Sequence, residues 1–130
     1  MVFMKQHFAI FSVILAAILF AGCAASSSGK VEIKQRITNE QAVSAVRKYC
    51  LAASPELDDI VNAGQYPVYW ELESDEENMI VVLFRSYTGA LIRYHIDPVS
   101  GDTYTTEFIP GVSSAEERTG ENLNMRDYLD

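Results

Sequence analysis

The spacing of the apolar residues changes once along this chain, and that change limits what the chain can fold into. Before Gly64 they recur at intervals of three and four, with Ala42, Val43, Val46, Tyr49, Cys50 and Ala53 forming one stripe and Ser44, Arg47 and Lys48 lying away from it. From Tyr66 onward the interval is two. Val68, Trp70 and Leu72 alternate with Tyr69, Glu71 and Glu73, Met79 to Phe84 is apolar throughout, and Ala90, Ile92, Tyr94 and Ile96 alternate with Leu91, Arg93, His95 and Asp97. A last strand sets Tyr104 and Phe108 on one side, with Thr103, Thr105 and Glu107 on the other. One helix stripe matched to one sheet face predicts an α+β fold of two layers, a main N-terminal helix packed on a four-stranded antiparallel meander.

Local signals mark the ends of these elements. Thr38-Asn39-Glu40-Gln41 fits a capping box, in which the Thr38 hydroxyl accepts from the Gln41 amide and the Gln41 side chain reaches back; Ile37 is placed to staple against Ala42. Ser54-Pro55 ends the first helix and opens a short second one through Leu57, Ile60 and Val61, which Gly64 closes. Turns are expected at Ser74 to Asn78, at Tyr87-Thr88-Gly89 and at Asp97-Pro98-Val99-Ser100-Gly101, where Pro fixes one φ and Gly accepts a positive one.

The start of the chain reads as a targeting segment. Lys5 precedes an apolar run from Phe8 to Phe20, in the charged-then-apolar order of a secretory signal. As a helix that run would reach about 20 Å, short of a hydrocarbon core of about 30 Å. It ends in Leu19-Phe20-Ala21-Gly22-Cys23, which resembles the lipobox of bacterial lipoproteins. The resemblance implies cleavage after residue 22, acylation of Cys23 through its thiol, and a place in the cell envelope on the outer face of the cytoplasmic membrane or on the outer membrane. Residues 23–30, small and polar after the Cys, read as a flexible tether.

Charge then narrows the partners. The chain of 130 residues carries 10 Lys and Arg against 18 Asp and Glu, and loss of residues 1–22 removes Lys5, which leaves nine basic side chains and a net charge of −9. An acidic domain of this kind is a poor match for nucleic acid, and membrane contact falls to the lipid. With Cys23 used for acylation, Cys50 has no partner for an internal disulfide; its place on the helix stripe predicts a buried small hydrophobe.

The folded region, expected over residues 31–112, resembles the PepSY domain. A helix opening Thr-x-x-Gln, then hairpins, then Tyr94-His95-Ile96-Asp97-Pro98-Val99-Ser100-Gly101-Asp102-Thr103 is similar to that family's closing hairpin, and the match covers roughly Ile37 to Phe108. PepSY units occur in propeptides of secreted metalloproteases and in envelope proteins. The resemblance therefore implies a non-enzymatic module that binds or restrains a protein or peptidase.

Nothing in the residues adds a reaction. His95, the one histidine of the mature chain, lies between Arg93 and Asp97 with no nucleophile placed beside it by a motif, and reads as a solvated strand residue. The acidic run Glu71, Glu73, Asp75, Glu76 and Glu77 lacks the spacing of a calcium loop, and Gly89 and Gly101 stand alone in turns, so no metal or cofactor is expected. Tyr69, Glu71, Arg93, His95, Thr103 and Thr105 are expected to share the sheet face opposite the helix, as a partner-binding surface or a solvated one, with Trp70, Tyr94 and Phe108 in the core. Residues 113–130 form an acidic tail in which Leu123, Met125, Tyr128 and Leu129 suggest docking, onto the domain's own sheet or into a partner, against the alternative of a frayed end. Two functions stand: a lipid-anchored extracytoplasmic binding module, and a structural accessory subunit of an envelope assembly.

Overall fold

The computed structural model describes residues Lys34–Asp130. The lipobox, Cys23 and the tether lie outside the described residues.

Helix α1, Asn39–Ala53, begins as its first turn dictates: the Thr38 side chain accepts from the Gln41 amide at 3.1 Å while the Gln41 side chain accepts from the Thr38 amide at 2.9 Å. Both bonds satisfy donors that no helix can satisfy internally. Its apolar stripe buries Ala42, Ala45, Val46 and Cys50, and Ile37 joins the same core cluster. A short helix α2, Glu56–Ala63, follows at once and ends on Gly64 in the left-handed region.

Five strands then form a single antiparallel meander in sequence order: β1 Tyr69–Glu76, β2 Met79–Arg85, β3 Leu91–Ile96, β4 Asp102–Phe108 and β5 Glu117–Asn124. A 3-10 turn, Met125–Tyr128, closes the chain. The α+β architecture is as expected, but the sheet has five strands instead of four. The segment read as an acidic tail supplies the fifth, because backbone pairing with β4 does not require apolar side chains. The end of that segment docks in cis: Leu123, Tyr128 and Leu129 pack against the core cluster and Met125 belongs to it.

The core lies between α1 and one face of the sheet. Ile80, Val82 and Phe84 of β2 and Tyr94 and Ile96 of β3 point into it, and Trp70 stacks on Phe84 with ring centroids 5.0 Å apart. Met125 is fully buried beside them, so the 3-10 turn extends the layer that α1 begins.

Strand β4 presents the face opposite to the one its pattern suggested. Ile96 pairs with Thr103 and Tyr94 with Thr105, and directly paired residues point to the same side of a sheet. Thr103 and Thr105 are therefore inside, at 4% and 0% exposure, while Tyr104 and Phe108 face outward. The cause is the loop. Four residues, Pro98 to Gly101, separate the bonded Asp97 and Asp102, and an even loop swaps the parity of the inward residues. The five-residue connection between the paired Arg85 and Leu91 keeps that parity, so β2 and β3 follow a simple alternation.

Candidate functional site

The sheet face opposite the helix is the candidate site, and register determines its composition. Arg93 pairs with Leu83 on one side and Thr106 on the other; His95 pairs with Val81 and Tyr104. A break in the β1–β2 register between Leu72 and Ser74 admits Glu73 as an extra residue, and its carboxylate reaches this face. Beyond β4, Glu116 and Arg118 bring in charges from the last part of the chain.

These side chains form one connected network. Arg93 Nε donates to Glu73 Oε2 at 2.5 Å and Arg93 Nη1 to Glu116 Oε1 at 3.2 Å. The same Glu116 oxygen accepts from Thr106 Oγ1 at 2.5 Å, and Thr106 Oγ1 lies 2.9 Å from His95 Nε2. A hydroxyl has a single proton. Since Thr106 gives it to the carboxylate, His95 must donate from Nε2, which leaves the lone pair on Nδ1. The imidazole stacks on Tyr104 with centroids 4.5 Å apart, and the Arg118 guanidinium sits 4.3 Å from the centre of the Tyr104 ring.

The charges settle accordingly. The Thr106 hydroxyl, with help from the Arg93 guanidinium, holds the Glu116 carboxyl below its ordinary range against the opposing effect of burial. Hydrogen bonding to Glu73 first, and the nearby Glu116 charge, keep Arg93 firmly protonated. Burial lowers the His95 pKa, and Arg93 adds to the effect while Glu116 and Glu73 oppose it. At neutral pH the face thus carries fixed ion pairs around a neutral, stacked imidazole. Such a surface offers shape, planar stacking and oriented charge.

Of the residues singled out from the sequence, Tyr69, Glu71, Arg93 and His95 lie on this face, with Tyr69 39% exposed. Leu83, paired between Glu71 and Arg93, is buried there. Thr103 and Thr105 do not belong to the face, for the reason of loop parity given above, and Phe108 leaves the core for it. Sequence reasoning missed Tyr104, Thr106, Glu116 and Arg118. The length of the Asp97–Asp102 loop was the available signal for the first two; the last two enter only through the pairing of β5 with β4. Among the described residues no group of three or more His, Cys, Asp and Glu is arranged to hold a metal ion, and no helix is long and apolar enough to cross a membrane.

No family model, no curated protein and no solved structure matches the chain.

Proposed function

We propose that this protein is a non-enzymatic binding module of the bacterial cell envelope, anchored by lipid on Cys23 and engaging a protein or peptide partner through the outer face of its sheet. The observation that carries this reading is the network joining Glu73, Arg93, Glu116, Thr106 and His95, flanked by the Tyr104–Arg118 stack. Its members come from β1, β3, β4 and the approach to β5, so the fold holds them before any partner arrives and little ordering entropy is lost on binding. Aromatic rings and arginines are also the side chains that contribute most at interfaces. The face is charged where permanent subunit interfaces are mostly apolar, which favours a partner that comes and goes over a structural accessory role.

The order of one capped helix, then hairpins, and the Tyr94–Thr103 hairpin resemble a PepSY domain, and on that likeness a secreted peptidase is the first class of partner to test. Capture from detergent-solubilised membranes, comparing the native chain with Tyr69→Ala and Arg118→Glu, supplies the test. Loss of one specific protein with both variants, at unchanged melting temperature, supports the reading. Capture that is equal in all three chains, or a partner in fixed stoichiometry that survives both substitutions, would sink it. Intact-mass analysis of the membrane-bound chain tests the anchor separately, and an unmodified Cys23 there removes it.

A further inference from the structure

On the other side of the sheet, the layer that covers the core is incomplete. Along α1 as far as Tyr49 it is filled by the closing 3-10 turn, where Tyr128 meets the Tyr49 ring edge to face at 5.3 Å. Beside the end of α1, from Tyr49 to Ser54, a cavity of about 410 Å³ opens over β3, β4 and β5. This volume lies within the range of roughly 300 to 1,000 Å³ found for small-molecule sites.

The walls have a definite chemistry. Half-buried Tyr49 supplies aromatic surface, Phe84 and Tyr94 add the little that burial leaves open at 7% and 3% exposure, Thr105 lies at the sheet side with no exposed area of its own, and Glu107 and Glu121 bring two carboxylates. No Lys, Arg or His lines the cavity, and neither carboxylate has an ion-pair partner among the described residues. The Tyr94 hydroxyl is fixed by Cys50 Sγ at 3.4 Å, so that ring is held in place. The acidity of the phenols points the same way: Tyr49 is pushed up by burial first and then by the Glu121 carboxylate, and Tyr94 is pushed up by burial with Glu121 contributing. A negative potential therefore reaches the aromatic walls.

We infer that this cavity binds a small organic cation, an alkylammonium compound whose charge lies against Glu121 and Glu107 while its carbon atoms rest chiefly on the Tyr49 ring. A bare hard cation is a worse fit, since calcium takes six to eight oxygen ligands and aromatic rings offer none. A quaternary or primary ammonium gains from both the carboxylates and the Tyr49 ring. The site is separate from the outer face, and either can fail without the other.

Calorimetry and amide NMR on the full chain test the inference, with choline as the probe and its uncharged carbon isostere dimethylbutanol as the control. Choline is expected to shift the amides of Cys50, Thr105 and Thr119, and the isostere to bind at least about fivefold more weakly. Glu121→Gln and Glu107→Gln, each checked for an unchanged melt, should each weaken choline about fivefold, whereas Glu71→Gln on the far face should leave it unchanged. Equal binding of choline and the isostere would reduce the cavity to an apolar dent and overturn the proposal. So would shifts confined to other surfaces, or no binding of either choline or the diamine putrescine.

Discussion

His95 and Tyr104 face each other across the β3–β4 ladder, their rings 4.5 Å apart and 4° from parallel. The pair exists because the four-residue loop between Asp97 and Asp102 turns Tyr104 outward, and His95 ties it to the charge network through Thr106. That arrangement makes the behaviour of the face measurable.

The depressed pKa of His95 has a defined sign in stability. The native state favours the neutral ring, so the unfolded chain binds the proton more readily and stability rises with pH in this window. The contribution is complete above the ordinary histidine value of 6.5 and is lost as pH falls through the lower native value. Urea midpoints should therefore fall from pH 7.5 to pH 5, and His95→Gln, which keeps a donor for Thr106, should flatten that slope. Glu116 and Asp97 are shifted downward and act only at more acidic pH, so they leave this window clear.

Gly101 combines a φ of +84° with a crowded surrounding: a Cβ there would lie 2.8 Å from Arg126 Cγ and would strike the Asn124 side chain. Its carbonyl also accepts from the Met125 amide at 2.9 Å. Gly101→Ala should cost about 3 kcal/mol in chemical unfolding, the left-handed strain plus displacement of the 3-10 turn. Gly120→Ala, with open space around the site, is the control and should stay within about 0.5 kcal/mol.

Met125 anchors the end of the chain in the core at 0% exposure. Met125→Ala should lower stability by about 2 to 5 kcal/mol, the cost of a buried cavity. Hydrogen exchange should quicken along β5 and the 3-10 turn in that variant. Unaltered exchange there would mean that the strand is held by its ladder alone.

Cys50 is buried, and burial pushes its thiol above the ordinary range. Iodoacetamide should leave the Cys50 peptide unmodified at pH 8 in the native state and label it fully in denaturant, as read by peptide mass mapping. Labelling under native conditions would mean that the cavity beside the end of α1, which Cys50 helps to line, admits the reagent to the thiol.

Much of this fold is legible in the residues. The capping box at Thr38 and Gln41, the stop at Ser54-Pro55, the closure at Gly64 and the position of β4 are set by contacts within a few residues, and local chemistry is visible in local sequence. Arg93 and His95 belong to the outer face because they alternate with Tyr94 and Ile96 on a strand whose apolar side is unmistakable.

Which way β4 faces is a different kind of fact. Its threonines and aromatics alternate clearly, but alternation does not say which set is inside; loop parity and the register with β3 decide that, and they bury Thr103 and Thr105. Strand β5 depends on distant partners still more. Glu117–Asn124 contains Leu123 as its one large apolar residue, and it becomes a strand because β4 offers an edge of unpaired backbone groups. Periodicity and capping are enough to read the helix, the turns at Thr88-Gly89 and Pro98 to Gly101 and the approximate places of the first four strands from the residues alone, although β1 runs on to Glu76, through part of the turn expected from Ser74. The fifth strand, the outward turn of Tyr104 and the meeting of Arg93 with Glu116 arise in the folded chain alone, because backbone pairing between distant segments leaves little trace in side-chain pattern.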